Sequence, residues 1–128
     1  MNNGVRLDLR QEKGTVVVAA GDFAKGNLIT SAFATILDKV QVRKIKGLDI
    51  YKFVFFDPQT SLALVVFGDV SWCSHSNNPN ASVTFSPTEC PSRYLVELTA
   101  ERAIADGEEV TMKYSNVEEY PDHKSWNT

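Results

Sequence analysis

The sequence has little of what membrane proteins and nucleic-acid-binding proteins need. Its 128 residues contain 13 basic and 16 acidic residues, which gives a net charge of −3. No apolar run approaches the roughly 18 residues of a membrane span. The one basic cluster, Arg43, Lys44 and Lys46, is short, whereas binding to phosphates calls for an extended basic surface. We therefore expect neither a membrane nor a nucleic acid as the main partner.

Cysteine and histidine are also scarce, which bears on metal binding and on the compartment. The four such residues are Cys73, Cys90, His75 and His123, and their spacing is not that of a structural zinc site. A disulfide between the cysteines is chemically allowed, but nothing points to an oxidising compartment. The first residues, MNNGVRLDLRQEKG, lack the apolar segment of a secretory signal. A soluble intracellular protein without a metal is the expectation.

What is present indicates a single β-rich domain. A chain of this length fits one domain, and 43% hydrophobic with 23% charged residues is ordinary for a globular protein. Short runs of β-branched and aromatic residues, bounded by turn-forming residues, predict at least seven strands and little helix. These runs are GTVVVAA, TSAFATI, IYKFVFF, SLALVVF, ASVTFSP, RYLVELTA and VTMKY.

Two segments need a choice between interpretations. The stretch SAFATILDKVQV, residues 31–42, fits both a helical face and a strand, and we favour a strand followed by a short loop. The stretch LDIYKFVFFDPQTSLALVVF, residues 48–67, is predicted as a hairpin. Its turn is expected at Asp57-Pro58-Gln59-Thr60, because Asp followed by Pro is a strong turn signal.

A polar stretch, SWCSHSNNPNAS at residues 71–82, follows the apolar run SLALVVF. His75 stands there between two serines, but no suitable carboxylate and nucleophile beside it complete a catalytic triad. Glu108 and Glu109 are adjacent, and neighbours on a strand point to opposite faces. Paired acid–base catalysis by these two carboxylates is therefore not expected.

The order of four short motifs resembles the second half of a SET domain, the fold of lysine methyltransferases. The motifs are Ser74-His75-Ser76, Pro79-Asn80, the ERAIADGEEV segment at residues 101–110, and Tyr114. The first half is similar to the opening SET hairpin, with Gly14-Thr15-Val16, Ala19 and Lys25-Gly26 in register. The resemblance spans about Gly14 to Tyr114, and its specificity lies in the ordered set, because each motif alone is common.

The resemblance implies a fold. We expect a mainly β protein with the SET-type β-clip fold, which has short sheets, little helix and a knot-like crossing near the C-terminus. Residues 1–128 would form one SET-like domain, with a core at about 14–114 and a closing segment at 115–128. The cysteine-rich zinc cluster of many relatives is missing from that segment, which carries aromatic residues instead. Asn80 would hold the crossing loop by hydrogen bonds to the backbone.

The resemblance also implies an activity, methyl transfer from S-adenosylmethionine to a protein lysine amine. Tyr114 matches the catalytic tyrosine, whose hydroxyl orients the amine together with backbone carbonyls. The cofactor-binding positions would be Gly14, Val16, Ser74, His75 (mainly through its backbone) and Trp126. The substrate channel would be walled by Tyr51, Trp72 and Tyr120. The expected partner is a protein lysine or a small-molecule ligand, and no metal is implied.

Two departures from the family pattern keep other functions open. Ser74 stands where the family has an asparagine that anchors the amino end of the cofactor, and Val16 stands where a glycine allows close approach. Each change would cost about 1–2 kcal/mol of binding. The alternatives are a degenerate SET-like fold that binds or transforms another small molecule, for example in a biosynthetic cyclisation, and a non-catalytic interaction module. A homodimer through an edge strand also stays open.

Overall fold

The computed structural model describes residues 4–114. Within that range the chain forms nine strands, one α-helix and two 3-10 helices. In chain order they are β1 (Val5–Arg10), β2 (Gly14–Ala19), β3 (Leu28–Leu37), α1 (Lys39–Ile45), a 3-10 helix (Asp49–Phe53), β4 (Val54–Phe56), β5 (Ala63–Phe67), a 3-10 helix (Asp69–Trp72), β6 (Ser74–His75), β7 (Ala81–Pro87), β8 (Arg93–Ala100) and β9 (Thr111–Met112). The prediction of a mainly β protein with little helix is confirmed.

The strands form three small sheets. β1 and β2 pair as a hairpin, β6 and β9 pair with each other, and the other five strands form one antiparallel sheet in the order β4-β5-β3-β8-β7. β1 was not predicted from the sequence. Its leucines are exposed, Leu7 at 42% and Leu9 at 78%, whereas Val5 is buried in the core. The strand is held by Val5 and by backbone pairing with β2, which runs from Val5 opposite Ala19 to Arg10 opposite Gly14.

The core lies between β2 and the inner face of the five-stranded sheet. On β8 the residues alternate, with Val96, Leu98 and Ala100 fully buried while the positions between them face outward. Val17 of β2 and Ile104, both almost fully buried, belong to the same cluster of packed side chains. A half-buried sheet of this kind gains its stability from one apolar face.

The predicted hairpin at residues 48–67 is confirmed at its turn and corrected at its start. Asp57 is buried, and its carboxylate accepts hydrogen bonds from the Gln59 backbone N–H at 3.0 Å and the Thr60 hydroxyl at 2.9 Å. These bonds close the turn between β4 and β5. Residues 49–53, however, form a 3-10 helix and not the first half of a strand.

The segment after β3 also differs from the prediction. The strand over TSAFATI is confirmed, but residues 39–45 form α1 and not a short loop. Asp38 and Gln41 make a reciprocal capping box at its start, with bonds of 2.8 Å and 3.0 Å. Arg43 and Lys44 lie in its last turn, where positive charge stabilises the helix dipole. In residues 4–114 no helix has both the length and the apolar character to cross a membrane.

Candidate active site

The site begins where two distant segments pair in parallel. In β6 and β9, Ser74 lies opposite Thr111 and His75 opposite Met112. The next residue, Ser76, continues the ladder by donating its N–H to the carbonyl of Met112 at 2.8 Å. This pairing brings the Ser-His-Ser motif beside the strand that leads to Tyr114, as the resemblance implied.

Asn80 fastens the loop that follows the histidine. It is only 2% exposed, and its side-chain oxygen accepts from the Thr111 N–H at 2.9 Å while its amide donates to the Glu109 carbonyl at 2.8 Å. Its own carbonyl accepts from the Glu101 N–H at 2.8 Å. The expectation that Asn80 holds the loop through backbone hydrogen bonds is thus confirmed.

The imidazole of His75 is held at both nitrogens. Its Nδ1 lies 3.0 Å from the backbone nitrogen of Tyr114 and its Nε2 lies 3.0 Å from the side-chain oxygen of Asn77. Because the Tyr114 N–H can only donate, Nδ1 accepts and the ring proton sits on Nε2. Burial lowers the pKa of His75, and the nearby charge of Lys113 lowers it further, against a smaller opposing effect of the Asn77 hydrogen bond. The ring is therefore neutral near pH 7.

Tyr114 is held at its hydroxyl as well as at its backbone. The hydroxyl donates to the carbonyl of Cys73 at 2.7 Å, and the rings of Tyr114 and His75 lie with their centroids 5.1 Å apart. The Cys73 thiol donates to the Val110 carbonyl at 3.3 Å, and burial raises its pKa far above the usual range. Cys73 therefore contributes a carbonyl oxygen and packing, but no thiolate nucleophile.

Tyr114 borders an apolar cavity of about 470 Å³, a size typical of small-ligand sites. Aromatic and aliphatic side chains from β4, β7 and β9 make up most of its wall, and charged groups stand at its rim. Its lining consists of Lys52, Val54, Phe55, Phe56, Pro58, Pro79, Ala81, Ser82, Val83, Phe85, Glu101, Met112, Lys113 and Tyr114. The sequence predicted Tyr114 as a site residue but not the other residues that line the cavity. These come from distant strands, and curling of the sheet brings them together.

Two of the positions inferred for cofactor binding, Val16 and Ser74, are connected through the segment that contains Val110 and Thr111. The Val110 N–H donates to the Val17 carbonyl at 2.8 Å, and the following residue, Thr111, pairs with Ser74. Residues 16–17 and Ser74 therefore flank one short segment. Val16 itself is fully buried. Gly14, Val16, Ser74 and His75 are not among the residues that line the cavity.

Tyr51 and Trp72, two of the proposed channel residues, pack against other aromatic rings. Tyr51 is buried and packs edge-on against Phe56 at 6.1 Å, and Trp72 is 41% exposed and packs against Phe53 at 5.0 Å. Neither is a lining residue of the cavity described above. Tyr120 and Trp126 lie outside the described residues.

The carboxylates of the second motif have separate partners. Glu109 forms an ion pair with Lys13 at 2.9 Å, whereas Glu108 accepts from the Ala105 N–H at 3.0 Å and from the Asn80 amide at 3.3 Å. Glu108 thus closes a turn, and Glu109 forms an ion pair with the turn of a neighbouring hairpin. Among residues 4–114 no group of three or more His, Cys, Asp or Glu side chains is arranged to hold a metal ion.

Comparison with known proteins identifies the family. The family model of the SET domain matches residues 14–115, which is most of the chain, and the protein therefore belongs to the SET domain family. No curated protein matches the sequence significantly. Among solved structures, the chain is similar to the crystal structure of a Plasmodium falciparum protein described as a putative histone methyltransferase. The TM-score is 0.74 at 15% identity, over 91% of this chain and 96% of that one. At this identity the likeness supports the fold, and the family supports a methyltransferase of the SET type.

Proposed function

We propose that the protein transfers a methyl group from S-adenosylmethionine to the side-chain amine of a protein lysine. The observation that carries the proposal is the placement of the Tyr114 hydroxyl, which is held 2.7 Å from the Cys73 carbonyl at the edge of an apolar cavity. A hydroxyl and a carbonyl oxygen fixed next to each other can orient an amine and the methyl group it receives.

The chain offers residues suited to this cofactor. Ser74 has a half-buried hydroxyl, and the backbone at Gly14 is open, with a φ of 80° and no heavy atom within 4 Å of the position that a side-chain carbon would take. Gly14, Ser74 and the backbone of His75 would hold the cofactor. When bound, it supplies an electrophilic methyl group on a sulfonium sulfur. Val16, being fully buried, would contribute through its main chain.

Apolar surroundings would prepare the acceptor. A lysine ammonium loses hydration when it enters a cavity walled by groups such as Val83, Phe85 and Met112, and desolvation lowers the pKa of an amine. The lysine would then lose its proton to solvent and present a lone pair. The Cys73 carbonyl would accept one of the remaining N–H bonds, and the Tyr114 hydroxyl would fix the direction of attack.

The proposal extends to a closing segment at residues 115–128, which lies outside the described residues. Residues 115–128 would cover the cofactor, with Trp126 stacking on it and Tyr120 bordering the lysine channel. We propose that residues 1–128 form a single SET-like domain. We also propose that the enzyme acts on its protein substrate in the cytoplasm or the nucleus.

Calorimetric titration of the full chain with S-adenosylmethionine tests the proposal. We expect binding in the micromolar range, and methylation of lysine peptides or of a protein mixture that can be followed with labelled cofactor. Absence of heat at millimolar cofactor, together with absence of label transfer, would reject it.

One observation favours a second function. Val16 is fully buried and has no exposed surface, so its side chain would hinder the close approach of the cofactor that a glycine allows in the family. The Ser74 side chain is also shorter than the asparagine that anchors the amino end of the cofactor. A SET-like protein that binds another small molecule in the cavity of about 470 Å³ is the alternative. The double variant Val16→Gly, Ser74→Asn separates the two: gain of cofactor binding from an inert wild type would assign the loss to these positions and support the alternative.

A further inference from the structure

We propose that the outer face of the five-stranded sheet is a homodimer interface with two-fold symmetry. The proposal is independent of the methyltransferase activity, since it uses the face opposite the candidate active site. Val83 and Phe85 of β7 line the cavity, and their neighbours Thr84 and Ser86 point the other way.

The outer face carries an apolar strip that crosses three strands. Phe67 of β5 lies opposite Phe33 of β3, and Phe33 lies opposite Leu95 of β8. The two phenylalanines are 69% and 57% exposed. Large aromatic side chains aligned in one row on a sheet are typical of surfaces that are covered by a partner.

Two opposite charges flank this strip on β8. Arg93 and Glu97 stand two residues to either side of Leu95 and share its face, because side chains alternate along a strand. Within residues 4–114, neither charge takes part in an ion pair. Their separation of four residues, about 13 Å along a strand, prevents them from pairing with each other in one chain.

This arrangement is self-complementary for one symmetry operation. A two-fold axis along the apolar strip places Phe33 on Phe33 of the second copy and Leu95 on its equivalent. The same axis reverses the strand direction, so Arg93 of each copy faces Glu97 of the other. Two sheets can pack in this way at about 10 Å with aligned strands, and an isologous interface requires this reciprocity.

The available area sets the strength of association. The 3-10 helix at Asp49–Phe53 packs at β4 through Tyr51 and Phe56. We therefore assign the interface to the other four strands, β5, β3, β8 and β7, on which Phe33 and Phe67 are exposed. Four strands span roughly 20 Å by 20 Å, which is at the small end for specific interfaces. We therefore expect a weak dimer whose population depends on concentration.

Sedimentation equilibrium of the full chain, from about 10 µM to about 500 µM, tests the interface in the range where small interfaces associate. We expect a reversible monomer–dimer equilibrium. Arg93→Glu and Glu97→Arg should each weaken it at least tenfold, because each places like charges opposite one another. A mixture of the two variants should restore the dimer, since every Glu then faces an Arg. Leu9→Ser, which removes a more exposed leucine from β1, is the matched control and should change nothing.

Three results would overturn the proposal. The first is a wild type that stays monomeric throughout the range. The second is a mixture of the charge variants that associates no better than either variant alone. The third is a dimer that persists in Phe33→Ser, which would place the contact on another surface. Thermal melts of each variant exclude loss of folding as the cause, and the mixing result in particular cannot arise from unfolding.

Discussion

The backbone N–H of Tyr114 donates to Nδ1 of His75, which precedes it by 39 residues, at 3.0 Å. Since Tyr114 also binds the Cys73 carbonyl through its hydroxyl, the histidine fixes one end of the tyrosine and the segment before the histidine fixes the other. A change on either side should therefore move the hydroxyl.

The hydroxyl of Tyr114 gives the most direct test of the proposed chemistry. Tyr114→Phe removes its bond to the Cys73 carbonyl, which should lower the free energy of unfolding by only about 1 kcal/mol. If the hydroxyl orients the amine, the methylation rate should fall at least tenfold while cofactor affinity changes little. Single-turnover assays and calorimetry measure the two separately. An unchanged rate would remove the role assigned to Tyr114.

His75 should make stability depend on pH. Its pKa is lowered in the folded protein, so between the unfolded value near 6.5 and the folded value the unfolded chain binds more protons. The free energy of unfolding should therefore be at its full value above about pH 6.5 and decrease as the pH falls. Protonation of Nδ1 also removes the acceptor for the Tyr114 N–H.

Urea unfolding between pH 5 and pH 8, about the range of histidine titration, measures this dependence, with His75→Gln as the variant that lacks it. Asn77→Asp is the matched change: a carboxylate beside Nε2 raises the pKa of the folded-state ring, so the loss of stability on acidification should become smaller or reverse. The same slope in wild type and in His75→Gln would assign the pH dependence to other groups.

Replacement of Asn80 should lower the free energy of unfolding. Asn80→Ala leaves the Thr111 N–H and the Glu109 carbonyl without their partner in a buried place. Unsatisfied buried groups cost about 1–3 kcal/mol each, so we expect a loss of about 3 kcal/mol in chemical denaturation. The exposed Asn78 supplies the control, because Asn78→Ala should be neutral within about 0.5 kcal/mol. Equal effects of the two changes would contradict the role of Asn80.

The crossing was predicted through the resemblance to the SET family, whose motifs are short and lie at backbone contacts. The motif residues make hydrogen bonds to the main chain or to each other, as Asn80 and His75 do. Such contacts require particular residue types at particular positions, and these can be recognised in a sequence. The turn at Asp57 was predictable for the same reason. The helix α1 was missed because its capping pair, Asp38 and Gln41, lies in a segment whose apolar pattern also suits a strand.

The cavity could not be predicted because it depends on long-range geometry. Phe55 and Phe85 lie 30 positions apart and meet with their rings edge-on at 6.4 Å, although the strands that carry them, β4 and β7, are the two edges of the sheet. Nothing in the local pattern of either strand indicates that these edges approach one another. Curling of the sheet, a property of the whole fold, creates the wall that Tyr114 completes.

Val16 belongs to the core and also lies at a proposed cofactor-binding position. Its replacement by glycine should therefore lower stability but increase the binding of the cofactor. Val16→Gly removes a fully buried side chain from β2 and should lower the free energy of unfolding by about 3 kcal/mol, from the cavity and the flexibility of glycine. Thr15→Gly, at the half-buried neighbouring position, introduces the same flexibility without the cavity and should cost about 1 kcal/mol. If Val16 limits the approach of S-adenosylmethionine, the cofactor should raise the melting temperature of Val16→Gly by more than it raises that of the wild type or Thr15→Gly. An equal shift in all three proteins would mean that the Val16 side chain does not limit the approach of the cofactor.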